Sequence, residues 1–176
     1  MQRQYNWAMI GCGLIAKDFA KAMIDHDHRI YSLANRSKKR AEEFAQQYGI
    51  KRVYDHVDDA FLDDKVDIVY IATPHNTHLE YIKKALNSGK HVLCEKAITL
   101  NSNELCEVCS LAKEKGLVLA EAMTIYHMPI YKELKKLLDS GSLGRVNLIT
   151  MNFGSFKEYN MKNRFFNRNL AGGAML

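Results

Sequence analysis

The sequence predicts an α/β protein built on a doubly wound parallel sheet, followed by the start of a second, open-sheet α/β domain. Three observations carry that expectation. Strand-length apolar runs recur over residues 5–120, amphipathic helix-length patterns separate them, and a glycine turn joins the first run to the first helix.

The first strand is Tyr5 to Ile10, and Gly11-Cys12-Gly13-Leu14-Ile15-Ala16 follows it as a turn and helix start. Gly11 permits a tight turn, and Gly13, lacking a Cβ, lets the backbone approach a pyrophosphate. The helix opening at Leu14 and Ile15 aims free N–H groups and a positive dipole end at the same place. Ala16 stands where the third glycine of such a fingerprint falls, and it is small enough for helix to pack on strand. Taken alone, the pattern also fits an ordinary strand-to-helix turn. The helix runs from Leu14 to Asp25, and Asp25-His26-Asp27-His28 reads as a polar connection rather than a metal site.

The second strand, Arg29 to Ala34, ends on Asn35-Arg36-Ser37. An acid at this point, about 20 residues past the turn, would hold the ribose 2′-hydroxyl of NAD. None is present. Arg36, backed by Lys39 or Arg40, offers a fork to a 2′-phosphate instead, so the expected cofactor is NADP rather than NAD. The plain alternative is a solvated basic helix start. The helix Lys38 to Tyr48 stops at Gly49, and a short helix spans Val57 to Asp63.

The next strand, Asp67 to Ala72, breaks into Thr73-Pro74-His75-Asn76-Thr77-His78. Pro74 keeps Thr73 extended and ends the strand, and Asn76 or Thr77 is expected to cap the helix Thr77 to Ser88, which stops at Gly89. His75 and His78 are candidates to meet the ribose or nicotinamide edge. The strand His91 to Cys94 then ends on Glu95-Lys96-Ala97. Charged side chains at a strand end are pushed toward the crevice, so Lys96 is a candidate acid/base. Hydride transfer at an alcohol carbon needs a proton moved at oxygen, which a partly desolvated lysine beside an oxidised nicotinamide can supply. A strand-end ion pair of Glu95 with Lys96 is the competing reading.

Asn101 or Ser102 is expected to cap a helix over Ser102 to Lys115 that buries Leu105, Val108, Cys109 and Ala112, and Leu117 to Ala120 forms the last strand of the sheet. A boundary near residue 122 separates a nucleotide-binding domain, 1–122, from an incomplete second domain, 123–176. That second part opens with an amphipathic helix from Pro129 to about Leu138, a turn over Asp139-Ser140-Gly141-Ser142 and a strand over Arg145 to Phe153. The unpaired apolar edge of that strand predicts self-association.

A hydrophobic share of 47% with 26% charged residues fits a soluble globular chain, and no apolar run approaches the roughly 20 residues that span a bilayer. Nothing at the start reads as a signal peptide. The net charge of +5 divides between a basic cluster at Arg36, Lys38, Lys39 and Arg40 and an acidic stretch from Asp55 to Asp67, neither long enough to argue for nucleic acid. Cys12, Cys94, Cys106 and Cys109 show no disulfide or zinc spacing. Cys106-x-x-Cys109 lies in a helix pattern and is expected to pack in the core, so no metal is expected and the cysteines are read as thiols of a reducing cytoplasm.

In this order and spacing, Gly11 to Ala16, Ala72-Thr73-Pro74 with His78, Glu95-Lys96 and Glu121-Ala122-Met123 resemble the Gfo/Idh/MocA oxidoreductases. The resemblance implies an N-terminal Rossmann domain and a C-terminal α/β domain whose open sheet carries the substrate face and often a subunit interface, hence a homo-oligomer. Together with the residue-by-residue reading, it gives cofactor contacts at Gly11, Cys12, Gly13, Leu14, Ile15, Asn35, Arg36, Ser37, Arg40, Ala72, Thr73, Pro74, His75, Asn76, His78, Glu95, Lys96 and Glu121. It also implies that Lys96 is a catalytic or substrate-binding residue near the nicotinamide. Three departures stand out. Ala97 replaces the family's proline, Tyr126 stands where many members carry arginine, and Leu170-Ala171-Gly172-Gly173 resembles the start of a Gly-Gly-x-x-x-Asp-x-Gly motif whose aspartate the chain does not reach.

The expected activity is therefore NADP-dependent hydride transfer at a secondary alcohol or carbonyl of a sugar, polyol or dihydrodiol, with little turnover from this chain, expected to be a fragment. A non-catalytic NADP-binding sensor or regulatory subunit is the alternative. A methyltransferase on a similar sheet would need an acid where Asn35 stands.

Overall fold

The computed structural model describes residues 4–152, 154, 156, 158–160 and 166–167. Six strands form one parallel sheet: β1 (Trp7–Ile10), β2 (Ile30–Ala34), β3 (Arg52–Val53), β4 (Ile68–Ile71), β5 (His91–Cys94) and β6 (Leu119–Glu121), in the order β3-β2-β1-β4-β5-β6. The helices are α1 (Leu14–Asp25), α2 (Lys38–Tyr48), α3 (Asp59–Leu62), α4 (His78–Asn87), α5 (Ser102–Glu114) and α6 (Pro129–Asp139). The sheet grows outward in both directions from β1 and β4, which is the doubly wound Rossmann arrangement.

Both faces of the central strands are covered, which is why these strands read as near-continuous apolar runs. Met9, Leu33 and Tyr70 meet α1 and α2 through Ala16, Ala20, Ala41, Phe44 and Ala45. On the other face Ile10, Val69, Ile71 and Val92 meet Ile82, Ala85 and Leu86 of α4 and Val108 and Ala112 of α5. Met9, Ile10 and Leu33 are fully buried, each contributing about 1.5–3 kcal/mol of apolar transfer. Ala16 and Ala20, one turn apart, are also fully buried and bring α1 close onto the sheet.

Several expectations are corrected. The sequence pattern does not reveal strand β3, because two residues are too short to show a period; it exists through its pairing with Ser32 and Leu33. Thr77 occupies the cap position of α4 without capping it, since its hydroxyl donates to the Pro74 carbonyl at 2.7 Å, and the helix is entered through a 3-10 turn, His75–Thr77. On α5, Val108 and Ala112 are buried, but Leu105 is 38% exposed and Cys106 and Cys109 are both exposed, so this pair does not pack in the core. Its cap is Asn101, whose Oδ1 accepts from the Glu104 amide at 3.0 Å. Leu117 belongs to the turn before β6, held by Ala112. Residues 145–152 form no strand, for a strand needs a ladder partner and no described segment supplies one; Phe153 lies outside the described residues. Leu170 to Leu176 also lie outside the described residues.

Among the described residues no helix is long and apolar enough to cross a membrane, and no group of three or more His, Cys, Asp or Glu could hold a metal ion.

Candidate functional site

Hydrogen bonds just past the strand ends set the site's geometry. Gly11 N–H donates to Ala34 (2.9 Å), Ala72 to Ile10 (2.8 Å), Glu95 to Ile71 (2.9 Å) and Ala122 to Cys94 (2.7 Å). The carboxyl ends of β2, β1, β4, β5 and β6 thus lie along one edge, the edge outside which open α/β sheets bind their ligands.

In the glycine turn, Gly11 has φ +97°, and a Cβ there would fall 2.5 Å from the Ala72 carbonyl oxygen. It therefore serves both the turn and the close approach of β1 to the end of β4. Gly13 is different, since nothing lies within 4 Å of the place its Cβ would take. It stands at the α1 N-cap with no side-chain acceptor, so the first N–H groups of the helix at Leu14, Ile15 and Ala16 have neither an intrahelical partner nor a cap. Open space in front of free donors and a positive helix end fits a pyrophosphate. Cys12 is buried in the turn; burial pushes its thiol pKa up, and the charge of Arg40 acts against this.

After β2, Asn35 Nδ2 folds back onto the Ser37 carbonyl at 3.0 Å. Lys38 is engaged by Asp55 and Glu42, whereas Arg36, Lys39 and Arg40 are exposed and take part in none of the ion pairs among the described residues. Their charge is thus available to an anion.

After β4, Thr73 Oγ1 and Thr77 Oγ1 are 2.7 Å apart, and His75 Nδ1 is a buried ring nitrogen with no hydrogen-bond partner. Asn76 is exposed and also touches a groove of 720 Å³ between α3 and α4, lined by Phe61, Leu62 and Leu79. For His78 the structure corrects the expectation from sequence. It is fully buried, with Nδ1 2.9 Å from the Ala97 carbonyl and Nε2 3.0 Å from the Thr73 carbonyl, so neither nitrogen is free for a ribose or nicotinamide. Burial lowers its pKa, against the two carbonyls that favour the charged ring.

After β5 the chain is pinned residue by residue. Glu95, 8% exposed, accepts from Tyr70 Oη at 2.7 Å, and burial followed by this bond pushes the Tyr70 phenol pKa up. Glu95 is thus turned inward to a tyrosine, and no ion pair joins it to Lys96 among the described residues. Ile98 N–H donates to Glu121 Oε1 at 2.9 Å, Thr99 Oγ1 to the Asn101 carbonyl at 3.1 Å and Leu100 N–H to Glu104 Oε2 at 3.0 Å. Burial pushes the Cys94 thiol pKa up, which keeps it an inert neighbour. Lys96 is exposed and, among the described residues, has no hydrogen bond or ion pair. The peptide joining it to Ala97 is cis.

Tyr70, Glu104 and the anchoring role of Glu121 were missed from sequence. Glu104 was legible, since Asn101-x-x-Glu104 has capping-box spacing. Tyr70 sits in an apolar strand with nothing local to mark its partner.

The strand order and the glycine turn with its open helix N-terminus are those of a dinucleotide-binding Rossmann domain. The chain belongs to the Gfo/Idh/MocA family: residues 5–123 match the family model described as an oxidoreductase family with an NAD-binding Rossmann fold. Trans-1,2-dihydrobenzene-1,2-diol dehydrogenase of Mus musculus is 32% identical over 173 residues, covering 97% of this chain and 51% of that protein. The Homo sapiens enzyme of that name shows the same figures. The chain thus spans about half the length of these relatives. The crystal structure of KijD10, a 3-ketoreductase from Actinomadura kijaniata, in complex with NADP and TDP-benzene, superposes with a TM-score of 0.73 at 30% identity over 79% of this chain and 43% of that one. Myo-inositol 2-dehydrogenase from Lactobacillus plantarum shares the fold, with a TM-score of 0.75 at 22% identity over 82% of this chain and 43% of that one.

Proposed function

We propose that this chain binds NADP and carries the proton-handling lysine of an oxidoreductase acting on a secondary alcohol or carbonyl of a sugar, polyol or dihydrodiol. The observation that carries the proposal is Lys96, exposed and unpartnered on a loop whose neighbours are all tied down, at the same sheet edge as the glycine turn. The names of the relatives support the substrate class, and the NADP complex of KijD10 supports the cofactor.

Gly11 and Gly13 with the α1 N-terminus would hold the pyrophosphate, and Arg36 and Arg40 the 2′-phosphate. Ala72, Thr73 and Pro74 would form the wall on the ribose side. Bound nicotinamide would exchange a hydride with the substrate carbon. Lys96 Nζ, neutral, would take the hydroxyl proton in oxidation and, protonated, return it to the carbonyl oxygen in reduction. Residues 1–122 form the nucleotide-binding domain in this reading and 123–176 the start of another, with the match ending at residue 123 in support. We place the protein in the cytoplasm, a setting that suits four free thiols, and expect cofactor binding rather than turnover from these 176 residues.

Calorimetric titration tests this reading. NADPH should bind more tightly than NADH, and Arg36→Ala should weaken NADPH about 10-fold to 100-fold while leaving NADH within about 2-fold. Equal affinity for the two cofactors would refute the assignment of Arg36, and no binding of either would refute the cofactor site.

A further inference from the structure

We propose that His78 is a positioning residue for Lys96, acting through the carbonyl of Ala97. This rests on the reading of Lys96 as the proton carrier. A lysine is aimed by the backbone on either side of it. On one side Glu95 is fixed by Tyr70. On the other, Ala97 has no ring to restrict its backbone, so its orientation must be imposed from outside. The contact that does so is His78 Nδ1, 2.9 Å from the Ala97 oxygen.

The imidazole is suited to the task. It is fully buried at the first residue of α4, whose Ile82, Ala85 and Leu86 are fully buried in the core, so the ring is a rigid post rather than a mobile surface group. Its other nitrogen faces the Thr73 carbonyl at 3.0 Å, and the Thr73 methyl lies 3.2 Å from where a Cβ on Gly11 would stand. One side chain thereby spans the loop that carries the lysine and the wall beside the glycine turn. Both ring nitrogens face carbonyl oxygens, and a neutral ring has one N–H to give; the proposal places it on Nδ1, with Ala97 as acceptor.

Two conservative variants separate positioning from simple core support. Asn places its amide nitrogen near the position of Nδ1, and Gln places its own near Nε2, so only His78→Asn can still donate to Ala97. In the cofactor-free chain, 15N relaxation should give order parameters near about 0.85 at Lys96 and Ala97 for the wild type and H78N, falling below about 0.6 for H78Q. A merely structural histidine would lower the stability of both variants without this asymmetry. Equal order at the loop in all three proteins, or equal loss in both variants, overturns the proposal. The 15N imidazole spectrum of the wild type probes the same contact without requiring any variant to fold: a proton on Nδ1 coupled to the Ala97 carbonyl is expected, and a ring protonated at Nε2 alone overturns the proposal. Neither measurement involves NADPH, so failure of the cofactor reading, seen by calorimetry, is distinguishable from failure of this one.

Discussion

Replacing Gly11 and Gly13 in turn by alanine should separate the two jobs of the glycine turn. At Gly11 the new Cβ would lie 2.5 Å from the Ala72 oxygen, 2.9 Å from its carbon and 3.2 Å from the Thr73 methyl, at φ +97°. The first two neighbours are backbone of the strand end and cannot rotate away. Positive-φ strain of about 1–2 kcal/mol adds to about 1–3 kcal/mol for a displaced, overpacked neighbour. A loss of about 3 kcal/mol lowers the melting temperature of a chain this size by about 6–12 °C. Gly13 meets nothing within 4 Å, so Gly13→Ala should unfold within about 0.5 kcal/mol of the wild type. Its methyl would instead stand where the pyrophosphate approaches, so NADPH affinity should fall while stability holds. Urea or thermal melts with calorimetry on both variants check the pair. Gly13→Ala melting as low as Gly11→Ala, or Gly11→Ala melting with the wild type, would refute the reasoning.

Three further outcomes are expected. Tyr70→Phe removes the donor to the nearly buried Glu95 carboxylate and should cost about 1–3 kcal/mol in a urea melt; a neutral effect would mean Glu95 finds water or another donor. Asn101→Ala should cost about 1 kcal/mol in a urea melt through the lost cap of α5, with Asn101→Ser restoring most of it. Burial holds His78, which faces the ring of His75 at 5.4 Å, below the ordinary imidazole value of 6.5, so between its folded pKa and about 6.5 the unfolded chain binds more protons than the folded one. Stability should thus fall as pH drops through that window, and H78Q should flatten this part of the urea-midpoint profile; an unchanged slope would assign the effect elsewhere.

How much of this was legible follows from how local each signal is. The bounds of α1, α2 and β5 were readable to the residue, because apolar period, glycine stops and turn glycines are written within a few positions of each other. The glycine turn was readable for the same reason, whereas Lys96, expected to be pushed toward the crevice, is exposed. His78 was misjudged because its partners, the Thr73 and Ala97 carbonyls, belong to two loops that only the sheet brings together. A polar residue beside a cofactor motif invites a ligand role, and only burial shows that both ring nitrogens face backbone oxygens. Cys109 failed in the opposite sense: it fits the helical stripe, yet α5 is contacted on a band narrow enough to bury only Val108 and Ala112. The strand expected over Arg145 to Phe153 shows the limit of alternation as a signal, which states what a segment could pair with and not that a partner is there.

The four cysteines sort into two chemical populations, and this makes the chain its own footprinting reagent. Cys106 and Cys109 lie open on α5 and will take a thiol label at once, while Cys12 and Cys94 are sealed. Cys94 is locked in the central sheet and reports only global unfolding. Cys12 sits inside the glycine turn, so the slow phase of its alkylation counts the moments when that turn opens by itself. A ligand gripping the turn would lengthen that phase and leave the fast one untouched, giving a clock for the crevice that needs no substrate.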